Sequence, residues 1–378
     1  MLARRSLLLG AGGAAAAAAL LPAGAAHAAR SVPGGPLPLP APGGPHPVAT
    51  RSHPVVDRTR TDPFAAVPGP RELMVQLWFP AGGHGSVPAA YTHPRVADVL
   101  EGEWGVAAGS LARIRTGVAT AHRAVRRPTL ILLSHGRGSS RSLTTALATE
   151  LASRGHLVAG VDHTHDAAAV HFPDGRLIRG SLPAAPDDWD AQDRLETAVR
   201  AADLRTVADD LTARGLAPAR IGLLGHSMGG AAAAEAMRQD RRFAAGLDLD
   251  GGLFGTPVAD QGLDRPFLLL SSSPDHDTWA RWRAAHRGWG RHIHLTGGGH
   301  LSGTDLSGYA DAIGLRTTWP PAVWQEFFGT LAPARATGLV RAVTAAFFGR
   351  FLAGRPAPLL RGPSARHPEL DFRWSRGR

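Results

Sequence analysis

The segment Ile221 to Gly230, reading Ile-Gly-Leu-Leu-Gly-His-Ser-Met-Gly-Gly, leaves this chain few ways to fold. A short apolar run leads into it and the alanine-rich run Ala231 to Met237 leads out, which predicts a strand, a sharp turn and a helix. Gly225 and Gly229 stand two residues either side of Ser227, where a turn this tight leaves no room for larger side chains. The turn pushes the serine hydroxyl out at the carboxyl end of the strand. Its backbone then sits at a helix N-terminus, where free N–H groups and the helix dipole favour a developing negative charge. A purely structural turn would satisfy so short a pattern. The strand before it and the helix after it make Ser227 a candidate nucleophile.

The rest of the chain reads as a frame for that turn. Glu72 to Phe79 predicts a strand closed by Pro80, and from Thr129 the alternation becomes regular. Thr129 to Ser134 and Leu157 to Asp162 are apolar strands, with a helix over Ser142 to Arg154 between them. A hairpin turns at Phe172 to Arg176, and a long helix runs from Asp190 to Arg214 with Leu195, Val199, Ala202, Val207 and Leu211 as its apolar stripe. After the serine turn, strands are expected at Phe243 to Leu249, Pro266 to Ser271 and, last, His292 to Thr296; a closing helix covers Thr337 to Leu352. Helices alternating with continuous apolar strands predict an α/β domain with a mostly parallel sheet covered on both faces. Its expected span is residues 55–355, with residues 81–127 as an insertion over the sheet edge carrying helical pieces at Arg95 to Leu100 and Ala107 to Arg115. A proline- and glycine-rich arm with no core of its own, residues 29–54, precedes it, and a loosely packed proline- and arginine-rich tail, residues 356–378, follows.

The first 28 residues read as an export signal: Arg4-Arg5, an apolar run, and Ala26-His27-Ala28 as a cleavage site. The paired arginines point to the twin-arginine route and a secreted protein, and no later segment reads as long and apolar enough to span a membrane. Cleavage lowers the formal charge from +10 to +8. All 41 basic residues are arginine, scattered and not gathered into a stripe with aromatics, so nucleic acid is not an expected partner. With no cysteine, the fold has no disulfide and the chemistry no thiolate.

A serine hydroxyl needs a base within hydrogen-bonding reach and an acid to orient that base. Gly297-Gly298-Gly299-His300 follows the last expected strand, where a glycine loop can bring His300 over the sheet; the plain alternative is one more surface histidine among 18. For the acid the residues leave a fork. Asp250 ends one strand and Asp275 ends the next, both preserving the order Ser, Asp, His; Asp248, deeper on the same face as Asp250, ranks third. Two backbone donors are needed for an oxyanion. They are assigned to Met228, after the serine, and to Arg137 in the glycine-rich Ser134-His135-Gly136-Arg137-Gly138. Asp162-His163-Thr164-His165-Asp166 competes as a metal motif, but it would leave the serine turn unexplained. Trp319, Trp324, Phe327 and Phe328, within residues 301–332, fit either a lipid-facing wall or core packing.

Ser134 to Gly138, Val161-Asp162-His163, Gly225 to Gly230, Asp250-Gly251 and His300, with Arg60 to Phe64 and Leu77 to Pro80 upstream, resemble the platelet-activating factor acetylhydrolases of the plasma and intracellular monomeric type and their bacterial relatives. The resemblance implies an α/β-hydrolase fold over about residues 55 to 352. It favours Asp250 as the acid and places the oxyanion amides on Arg137 and Met228. It also implies a monomeric serine esterase that needs no cofactor, metal or calcium and cleaves short or oxidised acyl chains from phospholipids or similar esters, with transient lipid-surface contact. Arg137 and Met228 stand where that family more often has apolar or aromatic residues. Cutinase-like, lipase and polyester hydrolases share Gly-His-Ser-Met-Gly-Gly and form the alternative, and a binding protein on a hydrolase fold is the non-catalytic one.

Overall fold

A computed structural model describes residues 34–81, 87–121, 127, 129–218 and 220–377; the export signal lies outside them. One sheet holds β1 (Val48–Thr61), β2 (Pro70–Pro80), β3 (Ala119–Thr120), β4 (Leu130–Ser134), β5 (Leu157–His163), β6 (Ile221–His226), β7 (Phe243–Leu249), β8 (Phe267–Ser271), β9 (Gly290–Leu295) and β10 (Leu370–Arg376). Across the sheet they run β10-β9-β8-β7-β6-β4-β5-β2-β1-β3. From β5 to β9 the strands are parallel. Antiparallel β2 and β10 flank that block.

Parallel neighbours need crossovers, and here helices supply them. Of the helices α1 (Pro94–Trp104), α2 (Thr145–Ser153), α3 (Trp189–Ala213), α4 (Met228–Gln239), α5 (Asp277–Ala285), α6 (Pro321–Phe328) and α7 (Pro333–Ala353), α2 to α5 lie between strands of the parallel block. Leu130 and Leu132 join a core with Leu204, Val207 and Leu211 of α3, the alanines of α4 and the tryptophans of α5. Their neighbours Ile131 and Leu133 face the other way, toward Leu147 and Leu151 of α2 and Leu339, Val343 and Phe347 of α7. Each such buried Leu, Val or Phe contributes about 1.5–3 kcal/mol over an exposed one. The expected sheet, covered on both faces, is present.

Residues 34–54 and 356–377 are more ordered than expected. β1 starts at Val48, so a boundary at residue 55 falls inside a strand. The proline- and glycine-rich arm is pinned to the body: Leu37–Pro38 pairs with Ile114–Arg115, and the Gly43 and Gly44 N–H groups donate to Glu150 (2.8 Å) and Ser153 Oγ (3.0 Å) of α2. Pro54 is tolerated because β1 pairs with β3 only at Ala49 and Thr50, so its missing N–H falls on an edge. The tail is not loose either. Leu370–Arg376 forms β10 against β9, so the strand expected to be last is followed by another. Leu370, Phe372 and Trp374 alternate as a strand requires, but the prolines and arginines before them masked the signal.

Two local readings also change. In α3, Val207 and Leu211 are buried as expected, but Leu195 is 42% exposed and Val199 and Ala202 are half-buried. The inner face of the first half carries Glu196, Arg200 and Asp203 instead, each at most 1% exposed. In the insertion α1 forms, whereas the piece expected as a second helix is a 3-10 turn at Leu111–Arg113 running into a short strand. Val96, Val99 and Leu100 of α1 share an apolar cluster with Tyr309, Ile313, Leu315, Phe327 and Phe328. The insertion and residues 301–328 therefore form one cap. Trp319 packs edge-on to Phe327, and Trp324 stacks on Phe328 at 4.1 Å; the two phenylalanines are buried and the two tryptophans half-buried.

Contrary to the reading of the sequence, the stretch of residues 321–353 contains 18 consecutive residues with a mean hydropathy of 1.2, enough by length and composition for a membrane span. Gly329, at φ 68°, ends α6 and breaks the stretch. The apolar side of α7 beyond it lies in the core.

Candidate active site

β6 runs straight into Ser227, and α4 begins at Met228. Ser227 has φ 54° and ψ −126°, a sparsely populated conformation for a residue with a Cβ, costing about 1–3 kcal/mol. Two backbone bonds hold it: the Ser227 N–H donates to Leu249 O (2.9 Å), and the Gly230 N–H donates to Ser227 O (2.8 Å). A Cβ on Gly225 would lie 1.9 Å from Gly229 O, and one on Gly229 would lie 2.2 Å from Ser134 O. These contacts are the physical reason for the glycine spacing. The oxyanion loop closes on the same spot, since a Cβ on Gly136 would be 3.4 Å from that of Ser227. As the first residue of α4, Met228 has an N–H with no acceptor in its own helix. The Arg137 N–H likewise makes no turn or loop hydrogen bond among the described residues.

The acid and the histidine meet as one branch of the fork predicts. His300 Nδ1 donates to Asp250 Oδ2 at 2.7 Å. Asp250 also accepts the N–H groups of Ser272 (2.6 Å) and Ser273 (2.8 Å) and the Ser273 hydroxyl (2.6 Å). Burial works to raise its pKa, but the bonds from His300, Ser273 and Ser272 hold the carboxyl below its ordinary range. Asp275 does not reach the histidine. It forms a two-pronged pair with Arg283 at 3.0 and 2.8 Å, with its side chain 38% exposed. The stretch after β8 thus contributes donors to Asp250 and not an acid of its own. His226 ties the histidine loop to the serine turn: its Nε2 donates to His300 O at 2.8 Å, and burial pushes its pKa down to about 4. Phe327 stands edge-on to His300 at 5.8 Å.

Asp248, the third-ranked acid, lies fully buried beneath the turn and accepts the Gly251 N–H at 2.8 Å. Burial first, and the charge on Asp250 second, push its carboxyl well above the ordinary value of 3.8. The folded chain therefore keeps a proton that the unfolded chain releases near 3.8. Stability is fully present below that value and is lost as pH rises toward the folded pKa. Asp305, raised to about 8 by burial, adds to the same slope. Asp248→Asn keeps the acceptor and removes the titration, so its urea midpoint should fall less steeply than wild type as pH rises above the ordinary value of 3.8. An unchanged slope would place that proton elsewhere.

The residues of the metal motif are drawn to separate partners. Asp162 pairs with Arg141. His163 bridges Ser134 Oγ and Asp203, both at 2.9 Å, and His165 meets Ser181 Oγ at 3.2 Å. Asp166 takes Arg200. Among the described residues, no group of three or more His, Asp or Glu side chains is placed to hold a metal ion. The sequence reading missed how much of the oxyanion loop is held by α3. Glu196 pairs with the Arg137 side chain, and Arg200 reaches the His135 carbonyl. The available signal was three charges at positions 196, 200 and 203, a helical spacing that marks one face.

Residues 108–174 match the family described as platelet-activating factor acetylhydrolase, isoform II. A protein of Arthroderma benhamiae named a probable 1-alkyl-2-acetylglycerophosphocholine esterase is 31% identical over 262 residues, 64% of this chain and 65% of that protein. The platelet-activating factor acetylhydrolase of Cavia porcellus is 28% identical over 175 residues, 38% of this chain and 39% of that protein. The chain thus spans less than two thirds of the length of these curated relatives. Among solved structures, the ferulic acid esterase from Streptomyces cinnamoneus superposes with a TM-score of 0.81 at 40% identity, covering 89% of this chain and 99% of that one. Likeness in fold and sequence over nearly all of an esterase, joined to the acetylhydrolase matches, shows that the chain belongs to the α/β-hydrolase family of platelet-activating factor acetylhydrolases and related esterases.

Proposed function

We propose that this chain is a serine carboxylester hydrolase acting through an acyl-enzyme. The observation that carries the reading is the His300–Asp250 bond of 2.7 Å beside a serine held at φ 54°. Ser227 Oγ attacks the ester carbonyl carbon, and its proton passes to His300 Nε2. The Met228 and Arg137 N–H groups receive the oxyanion, each such donor being worth about 100- to 1000-fold in turnover. Collapse of the intermediate expels the alcohol, which takes the proton from His300. Water then repeats the sequence on the acyl-enzyme, releasing the acid and restoring Ser227. Asp250 keeps the proton of the imidazole on Nδ1 throughout, so that Nε2 is free to accept.

Short-chain acyl esters, including acetyl or oxidised acyl groups of phospholipids, are the proposed substrates. The names of the acetylhydrolase relatives support this, as does the buried Phe327 standing against His300. A second reading, an ester of a bulky aromatic acid, is favoured by the name of the Streptomyces cinnamoneus enzyme. The test is kcat/KM on p-nitrophenyl esters from acetate to palmitate beside a feruloyl ester. A steep fall beyond butyrate is expected. Sustained activity on palmitate would point to a lipase- or cutinase-like enzyme, and preference for the feruloyl ester to the second reading. Export, supported by the N-terminal signal, belongs to the same proposal: assay of culture supernatant against cell lysate should find the activity outside.

A further inference from the structure

We propose that Glu196 and Arg200, one turn apart on α3, are positioning residues that fix the Arg137 amide for the oxyanion. The inference rests on the serine esterase reading and adds a role that the relatives' names do not assign. Its starting point is the charged inner face of α3. Burying a carboxylate and a guanidinium costs more than burying apolar side chains of the same size, so stability alone is a poor reason for them. Both side chains are directed at the oxyanion loop.

Arg200, 1% exposed, sets Nε and one terminal nitrogen on Asp166 at 2.5 and 2.6 Å and donates from its other nitrogen to the His135 carbonyl. The Asp166 carbonyl in turn accepts the Gly138 N–H at 3.2 Å. Arg200 therefore holds the backbone on both sides of residue 137, directly at 135 and through Asp166 at 138. Glu196, fully buried, takes hold of residue 137 itself by pairing with its guanidinium, which also lies over the Trp189 ring at 4.8 Å. The side chain is thereby drawn toward α3, and the backbone N–H of the same residue keeps no turn or loop partner among the described residues. A donor works only about 2.7–3.1 Å from the developing oxyanion, and a misplacement of about 1 Å costs roughly 100-fold. Fixing residue 137 by its side chain, and the backbone at 135 and 138 on either side of it, answers that demand.

Glu196→Gln and Arg200→Lys, made in the mature protein, test the idea on p-nitrophenyl acetate with active sites counted by an organophosphate. For each, kcat per labelled site should fall about 10- to 100-fold, with KM within about twofold and inhibition by a trifluoromethyl ketone weakened in parallel. Lost folding alone would reduce the number of labelled sites and leave kcat per site unchanged. Arg137→Met combined with Glu196→Gln should cost little more than either alone, because both cut one tether. Labelled variants with wild-type kcat per site, or additive losses in the pair, overturn the inference while leaving the esterase reading intact. A wild-type protein that is neither labelled nor active would remove the esterase reading and this inference together.

Discussion

Ser227→Ala should lower kcat on p-nitrophenyl acetate by about 10,000-fold to a million-fold and abolish labelling by an organophosphate. The range is wide because the oxyanion donors and the binding site survive the change, and such a remnant alone gives about 1000- to 10,000-fold over water elsewhere. The fold should survive as well. Alanine also carries a Cβ, so it inherits the same conformation at φ 54° and the same strain, and the backbone bonds to Leu249 and from Gly230 do not involve the hydroxyl. The melting temperature should stay within about 2 °C, since no contact worth 1 kcal/mol is lost. A folded variant that keeps a tenth of the wild-type rate would show that Ser227 is not the nucleophile, however well its turn is formed.

What could be read from the sequence divides along physical lines. Short-range patterns carried the serine turn, because glycines at 225 and 229 answer contacts within one turn and against the adjacent loop. They also carried the parallel strands, whose burial on both faces demands continuous apolar runs. The acid was not decided by the pattern of residues alone. Asp250 and Asp275 stand in equivalent places in the sequence, and what separates them is long-range: Ser272 and Ser273 turn their donors toward Asp250, and Arg283 takes Asp275. Helix α3 failed for a related reason. Its apolar residues at 195, 199 and 202 have helical spacing, but its first half reaches past the apolar sheet to the loops at the strand ends, where charges have partners. β10 shows the opposite case, a legible alternation overlooked because proline and arginine dominate the stretch before it.

Asp250→Asn should cost about 10,000-fold in kcat, with folding preserved. The hydrogen bonds indicate how. Oδ1 accepts two backbone N–H groups, from Ser272 and Ser273, so an asparagine must place its oxygen there. Its NH2 group then occupies the position of Oδ2, which in the wild type accepts from His300 Nδ1 and from the Ser273 hydroxyl. A donor facing Nδ1 forces the imidazole proton onto Nε2, the atom that must accept the serine proton. The base is thus disabled by its tautomer, with its position kept, and KM should move little. Asp275→Asn breaks only a pair with Arg283 on a side chain that is 38% exposed, a contact worth about 0–1 kcal/mol at a protein surface. Its turnover should remain within about threefold of wild type. Measured side by side at equal labelled-site concentration, the two variants separate the carboxylates by more than three orders of magnitude. Equal losses would require the loop after β8 to act as a unit with Asp250. A larger loss at Asp275 would mean that His300 leaves Asp250 during turnover, a motion opposed by the bonds from His226 Nε2 to the His300 carbonyl and from the His300 N–H to Glu326 O.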